Sequence, residues 1–196
     1  MNGHQQEAPH LLEEIYNLED ALLLGGLINS LLRHADRVKI GCLAQLINVI
    51  APIMTNATGM FRQTIFYPYS WGLQYARGSV VDVMVESPST YEVSGMGQVP
   101  HLDAVGTYNP EDGKLALFVL NRDLSKAHQI EVNFQGASGA RPLAAWVLTG
   151  DDLKAVNSFE TPQKVAPRAS EKPTATGGRT TIELPARSYS VFQWAT

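Results

Sequence analysis

Convergent carboxylates, imidazoles or an activated thiol would be needed for acid–base, nucleophilic or metal chemistry, and their spacing in this chain narrows the options. Glu13, Glu14, Glu19 and Asp20 fall close together. They alternate with Leu11, Ile15, Leu18 and Leu22, whose spacing predicts one helix with these acids on its polar side near the N-terminus. A solvated face that suits the helix dipole is their expected role, not a catalytic pair. Glu86, Glu92 and Asp103 fall in or beside strand-like runs, with no second carboxylate whose proximity the spacing establishes, and stay unassigned. The five histidines are scattered, with none of the short intervals of a zinc site. No metal and no cofactor are therefore expected; His34 is placed at a helix end, and His4 and His10 at the surface. Cys42 has no second cysteine to pair with and sits in an apolar run, where a buried free thiol is the ordinary outcome.

The elements that must position these groups follow from the hydrophobic pattern. With 44% hydrophobic and 17% charged residues in a chain of 196, one or two real cores can form and disorder is not indicated. A net charge of -4 leaves no electrostatic footprint for nucleic acid and no polybasic segment for a membrane. A neutral or small polar ligand fits better. Met1 to Pro9 lacks the pattern of a secretory signal, so no export is expected and the predicted location is cytoplasmic. The stretches Ala21 to Leu32 and Cys42 to Met54 are interrupted by polar residues, Gly and Pro52, and are expected in a core and not in lipid.

From His10 to His34 the pattern predicts a helix, with Pro9 near its first turn and Arg33 and His34 at its end. Beyond Ala21 it becomes apolar on nearly every side, so it should pack against neighbours on several faces. A short buried strand is expected within Asp36 to Ala44, and a second, aromatic-rich helix over Thr64 to Arg77 with Pro68 near its start. After Gly78 the pattern changes to short β-like runs: 80–85, 102–108, 115–120, 130–134, 143–148, 181–184 and 189–194. Asn109 to Gly113 reads as a hairpin loop and 157–178 as a long surface excursion. An antiparallel sandwich would accommodate these runs. The first segment looks incomplete by comparison, because two helices cannot cover one buried strand on both faces. Something is expected to precede it.

The run from Ala8-Pro9-His10-Leu11-Leu12-Glu13-Glu14 to Leu22 closely resembles a segment of the glycoside hydrolase family 51 α-L-arabinofuranosidases. His34 to Thr55, including Gln45-Leu-Ile-Asn48, and Thr64-Ile-Phe-Tyr-Pro68 continue the match in order and spacing. Val119-Leu120-Asn121-Arg122-Asp123 and Leu184-Pro185-Ala186-Arg187-Ser188 resemble the family's C-terminal domain more loosely. The resemblance implies an α+β chain: residues 1–78 as the end of a (β/α)8 barrel, followed by a jelly-roll-like β-sandwich over 79–196. His10 to His34 would be the seventh barrel helix, Val38 to Ala44 the eighth strand and Thr64 to Arg77 the closing helix. It also implies a retaining mechanism in which both catalytic glutamates lie upstream of Met1, so that no catalytic residue is expected here and the chain alone should be inactive.

Gln45 is the candidate substrate-binding residue. It follows Ala44 at the expected C-terminal end of the last barrel strand, where barrel sites lie, and its amide can both donate to and accept from hydroxyls. The matching glutamine of the family contacts the arabinofuranosyl unit; the alternative is a buried amide satisfied by backbone. Asn48 is expected to hold the loop. Phe66, Tyr67, Tyr69, Trp71 and Tyr75 could offer a sugar-stacking platform, but their spacing favours packing between barrel and sandwich, and Trp146 and Trp194 are expected in the core. The implied partners are an arabinofuranosyl oligosaccharide and further copies in a homo-oligomer, hexameric in the family, with no nucleic acid and no membrane. The alternative readings are a non-catalytic sandwich module for sugar binding or oligomer contacts, and a truncated product that folds only in its sandwich half.

Overall fold

The computed structural model describes residues 13–86, 89–136 and 139–196. In chain order the elements are α1 (Leu18–Arg33), β1 (Ile53–Thr55), β2 (Met60–Arg62), α2 (Phe66–Tyr75), β3 (Ser79–Val81), β4 (Thr90–Val93), β5 (Gly97–Pro100), β6 (Leu102–Asn109), β7 (Lys114–Asn121), β8 (His128–Asn133), β9 (Arg141–Thr149), β10 (Arg168–Ala169), β11 (Arg179–Leu184) and β12 (Ser188–Ala195). The large sheet runs β10-β9-β12-β7-β6-β3, every pair antiparallel, while β8 pairs with β11 and β4 with β5 separately.

Alternation along the central strands builds a core on each face of this sheet. Phe118 and Leu120 of β7, with Tyr189 and Val191 of β12, face α1 and α2 and pack with Leu18, Ala21, Leu22, Tyr67 and Trp71. Leu117, Val119, Phe192 and Trp194 point the other way, onto Ile182 and Leu184 of β11. Being covered on both sides, β7 and β12 read as nearly unbroken apolar runs, whereas β11, with one face in solvent, alternates strictly between exposed and buried. The hairpin from Asn109 to Gly113 forms as expected, with Asn109 paired to Lys114.

The helix layer is fitted closely to the sheet. A Cβ on Gly25 would lie 2.7 Å from the Tyr189 ring, so the absence of a side chain there lets α1 sit on the strand. The Tyr189 hydroxyl donates to Asn29 Oδ1 at 3.0 Å, Asn29 Nδ2 donates to Asp103 Oδ2 at 2.9 Å, and Arg33 pairs with Asp103 Oδ1 at 2.6 Å. Burial first, and the Asp103 charge second, push the Tyr189 phenol well above its ordinary range. Of the aromatics of α2, Tyr67 and Trp71 are buried and Tyr75 accepts a hydrogen bond from Trp146 at 3.0 Å, so packing is their role.

Several expectations are corrected. The first helix starts at Leu18, because Asn17 and Asp20 form a reciprocal capping box, Asn17 Oδ1 accepting from Asp20 N and Asp20 Oδ2 from Asn17 N. Glu13 and Glu14 therefore precede the helix, while Pro9, His4 and His10 lie outside the described residues. Residues 38–44 form no strand and are mostly exposed, and Cys42 is exposed rather than buried. A parallel strand needs neighbours on both sides, and within the described fold nothing pairs with this segment. The hairpins β1–β2 and β4–β5 were not foreseen; β4–β5 is largely in solvent, and β1–β2 has strands of three residues each, too short to show a period, with Phe61 alone buried. The 157–178 excursion is not wholly superficial: it contributes β10 to the sheet, and Asn157 is buried with Val165, to which it is hydrogen-bonded.

Candidate functional site

The connection between α1 and β1 carries Gln45 in a strained turn. Among the described residues only Gln45, Asn48, Val49 and Arg187 adopt positive φ without being glycine, so three of the four fall within this loop. Asparagine tolerates this region, but β-branched Val49 at φ 61° does not. The surrounding bonds hold it there. Asn48 Oδ1 accepts from Thr55 N at 2.7 Å and its Nδ2 donates to Thr55 Oγ1 at 3.0 Å, while Asn48 N donates to Ile53 O at 2.8 Å. Val49 O receives the amide of Glu14 at 3.0 Å. Buried Gln63 ties the same region to the helix approach, donating to Glu14 O and Ala51 O and accepting from Tyr16 N. Asn48 thus holds the loop, as expected, and Gln45 is exposed.

Three of the acids considered from the sequence are drawn elsewhere. Asp103 is committed to Asn29 and Arg33, Glu19 to Lys154, and Asp20 to the cap of α1. The structure thus places these carboxylates in structural pairings, apart from the loop of Gln45.

The spacing of the histidines concealed one convergence. His101 precedes β6, Asp123 follows β7 and His128 opens β8, and one ligating atom from each lies within 4.8 Å of the others. Asp123 Oδ1 accepts from Ser125 N at 3.0 Å and Lys126 N at 2.9 Å, which leaves Oδ2 facing His128 Nε2 at 3.1 Å and His101 Nε2 at 3.9 Å. These bonds, that of Ser125 N foremost, hold the Asp123 carboxyl far below the usual carboxylate range. Asp123 and His128 are 5 residues apart, but His101 reaches them from another strand end, so the spacing of the histidines alone did not reveal the three together.

The fold defines a β-sandwich domain with a helix pair laid over one face. The chain matches the family model "Alpha-L-arabinofuranosidase C-terminal domain" over residues 1–188. It is 40% identical over 188 residues to an intracellular exo-α-(1→5)-L-arabinofuranosidase of Acetivibrio thermocellus, covering 95% of this chain and 37% of that protein. It is 38% identical over 187 residues to the enzyme of the same name from Halalkalibacterium halodurans, with 95% and 37% covered. A solved family 51 α-L-arabinofuranosidase from Bifidobacterium longum superposes with a TM-score of 0.87 at 36% identity, over 98% of this chain and 38% of that one. The chain belongs to the C-terminal domain family of the family 51 α-L-arabinofuranosidases. It spans little more than a third of the length of the curated relatives it matches.

Proposed function

We propose that the chain serves as the C-terminal part of a retaining exo-acting α-L-arabinofuranosidase, which releases terminal non-reducing arabinofuranosyl units from arabinose-containing oligosaccharides in L-arabinose metabolism. In this reading residues 1–78 complete a (β/α)8 barrel, 79–196 form its jelly-roll-like sandwich, and both catalytic glutamates reside on a preceding segment. One observation carries it. Leu23, Leu27 and Leu31 recur every fourth residue along the outer side of α1 and are 64%, 53% and 44% exposed, and Ile40, Leu46 and Ile47 are exposed beside the same connection. Such an apolar stripe, on a helix whose other side is already packed, is suited to burial against further barrel elements. Segment 38–44 would then gain the strand neighbours it lacks, and Gln45 would stand at the barrel's C-terminal rim to hydrogen-bond the bound sugar.

The supporting relatives are named intracellular, and no helix among the described residues is long and apolar enough to cross a membrane; a cytoplasmic location and homo-oligomeric assembly complete the proposal. The alternative of an autonomous sugar-binding sandwich has less to support it. The groove along β8 and β11 is lined by Glu131, Glu171, Lys172, Arg179, Glu183 and neighbouring Thr and Pro residues, without an aromatic ring on which a sugar could stack.

The test is hydrolysis of an aryl α-L-arabinofuranoside by the purified chain, alone and co-expressed with the part of the Acetivibrio thermocellus enzyme that it does not span. Turnover is expected only from the combination, with Gln45→Ala lowering kcat/KM by about tenfold, the scale of one lost hydrogen bond. Turnover by the isolated chain that Gln45→Ala abolishes would overturn the reading. Sugar binding by the isolated chain that survives Gln45→Ala would favour the sandwich module instead.

A further inference from the structure

We infer that His101, Asp123 and His128 form a binding site for a divalent ion of the zinc class, which clamps one end of the sandwich. The inference rests on sandwich residues alone and stands whether or not the hydrolase reading holds.

Donor set, geometry and support each point to a metal. Two imidazole nitrogens and one carboxylate oxygen are the ligands of zinc and its borderline neighbours, not of calcium or magnesium, which take oxygen. At metal–ligand bonds of about 2.0–2.1 Å, tetrahedral ligands stand roughly 3.3 Å apart. The separations from Asp123 Oδ2, 3.1 Å to His128 Nε2 and 3.9 Å to His101 Nε2, bracket that value. The longer one exceeds hydrogen-bond reach, so a direct His101–Asp123 bond does not account for the arrangement. The ring centroids of His101 and His128 lie 6.0 Å apart at 27°, so the two rings stand nearly parallel with both Nε2 atoms beside the same carboxylate oxygen.

The outer supports are those expected around metal ligands. His101 Nδ1 is hydrogen-bonded to Ser89 Oγ at 2.8 Å, which fixes the ring and allows Nε2 to keep its lone pair for the ion. Asp123 is oriented by the bonds of its Oδ1 to the Ser125 and Lys126 amides, and its own amide donates to Asn121 Oδ1 at 3.0 Å. Asn121 is in turn buried and donates to Pro185 O at 2.8 Å. The carboxylate is therefore preorganised from both ends of the β7–β8 turn. The histidine side chains keep 17% and 18% of their surface in solvent, which provides an entry path and room for a water as fourth ligand. An ion here would join the start of β6 to the β7–β8 connection, segments that also meet through Arg122, whose N donates to His101 O and whose Nη1 donates to Pro100 O.

The probes are Zn2+ and Co2+ added to the tag-free, metal-stripped full chain carrying Cys42→Ser, since the exposed Cys42 thiol is a competing ligand. Expected are one tight equivalent of Zn2+ by calorimetry, a rise in Tm on binding, and visible d–d absorption of the Co2+ form. His101→Asn and His128→Asn, each shown to be folded by circular dichroism, should remove the tight equivalent, the Tm rise and the Co2+ spectrum. Ser89→Ala should weaken Zn2+ affinity by about tenfold while keeping the stoichiometry. Absence of a tight equivalent in the parent chain, or a tight equivalent that persists in a folded His101→Asn or His128→Asn variant, would overturn the site.

Discussion

The two sides of α1 have opposite fates although both are apolar. The inner side, through Ala21, Leu22, Gly25 and Ile28, lies on the sheet and is buried, with Asn29 bonded to the Tyr189 hydroxyl. On the outer side Leu23, Leu27 and Leu31 face solvent, and the connection that follows the helix forms no strand. Leucines of the same kind, a few residues apart, thus differ only in what the rest of the chain brings against them. Apolar composition drives a residue toward burial, but shape-matched neighbours must exist for that burial to happen.

Substitutions on the two sides should diverge accordingly. Phe118→Ala, at a side chain with no exposed surface between the sheet and the helices, should cost roughly 3–5 kcal/mol in urea unfolding. Asn29→Ala should cost about 2–3 kcal/mol, because it strands the Tyr189 hydroxyl and leaves Asp103 with one partner fewer in a buried setting. Gly25→Ala should cost about 1–3 kcal/mol through overpacking, since the added Cβ meets the Tyr189 ring, which neither helix nor sheet can readily move. Leu27→Glu, on the outer side, should change the stability of the isolated chain by no more than about 0.5 kcal/mol. On the proposed reading the same substitution should abolish complementation by the remainder of the Acetivibrio thermocellus enzyme, and a large loss of stability instead would show that the outer stripe is already packed.

The seam has a pH signature as well. With its folded-state pKa raised by burial, Tyr189 stays protonated in the folded protein where the unfolded chain would ionise. Its contribution is thus fully present below the ordinary phenol pKa of about 10 and is lost as pH rises above it. Tyr67 is raised in the same sense, again through burial first. Urea midpoints measured from pH 8 to 11 should fall for the native chain and fall less for Tyr189→Phe, with Tyr67 accounting for part of the remaining slope. Equal slopes would place Tyr189 in contact with water.

Much of the sandwich was legible because its strands answer to local rules. Leu115 to Leu120 and Tyr189 to Trp194 are continuous apolar runs, and Asn109 to Gly113 turns between alternating segments, so β6, β7 and β12 could be placed within a residue or two. The hairpins β1–β2 and β4–β5 left no such trace, the first because strands of three residues are too short to show a period and the second because its largely exposed strands need none. The start of α1 was misplaced because the leucine spacing runs on through Leu11 and Ile15, while the Asn17–Asp20 capping box that ends it is a local polar signal outweighed by that pattern.

By itself the sequence determined which stretches are apolar, where the chain turns, the absence of a basic footprint, and, through ordered motifs along its length, the family to which the chain belongs. Tertiary structure alone decided that residues 38–44 stay mostly exposed without strand partners, that Val49 is held in a left-handed turn, and that His101, Asp123 and His128 meet at one point. The physical reason is the same in each case. Burial, strain and ligand geometry depend on atoms contributed by segments distant in sequence, and pairing across a sheet sets those distances where spacing along the chain does not.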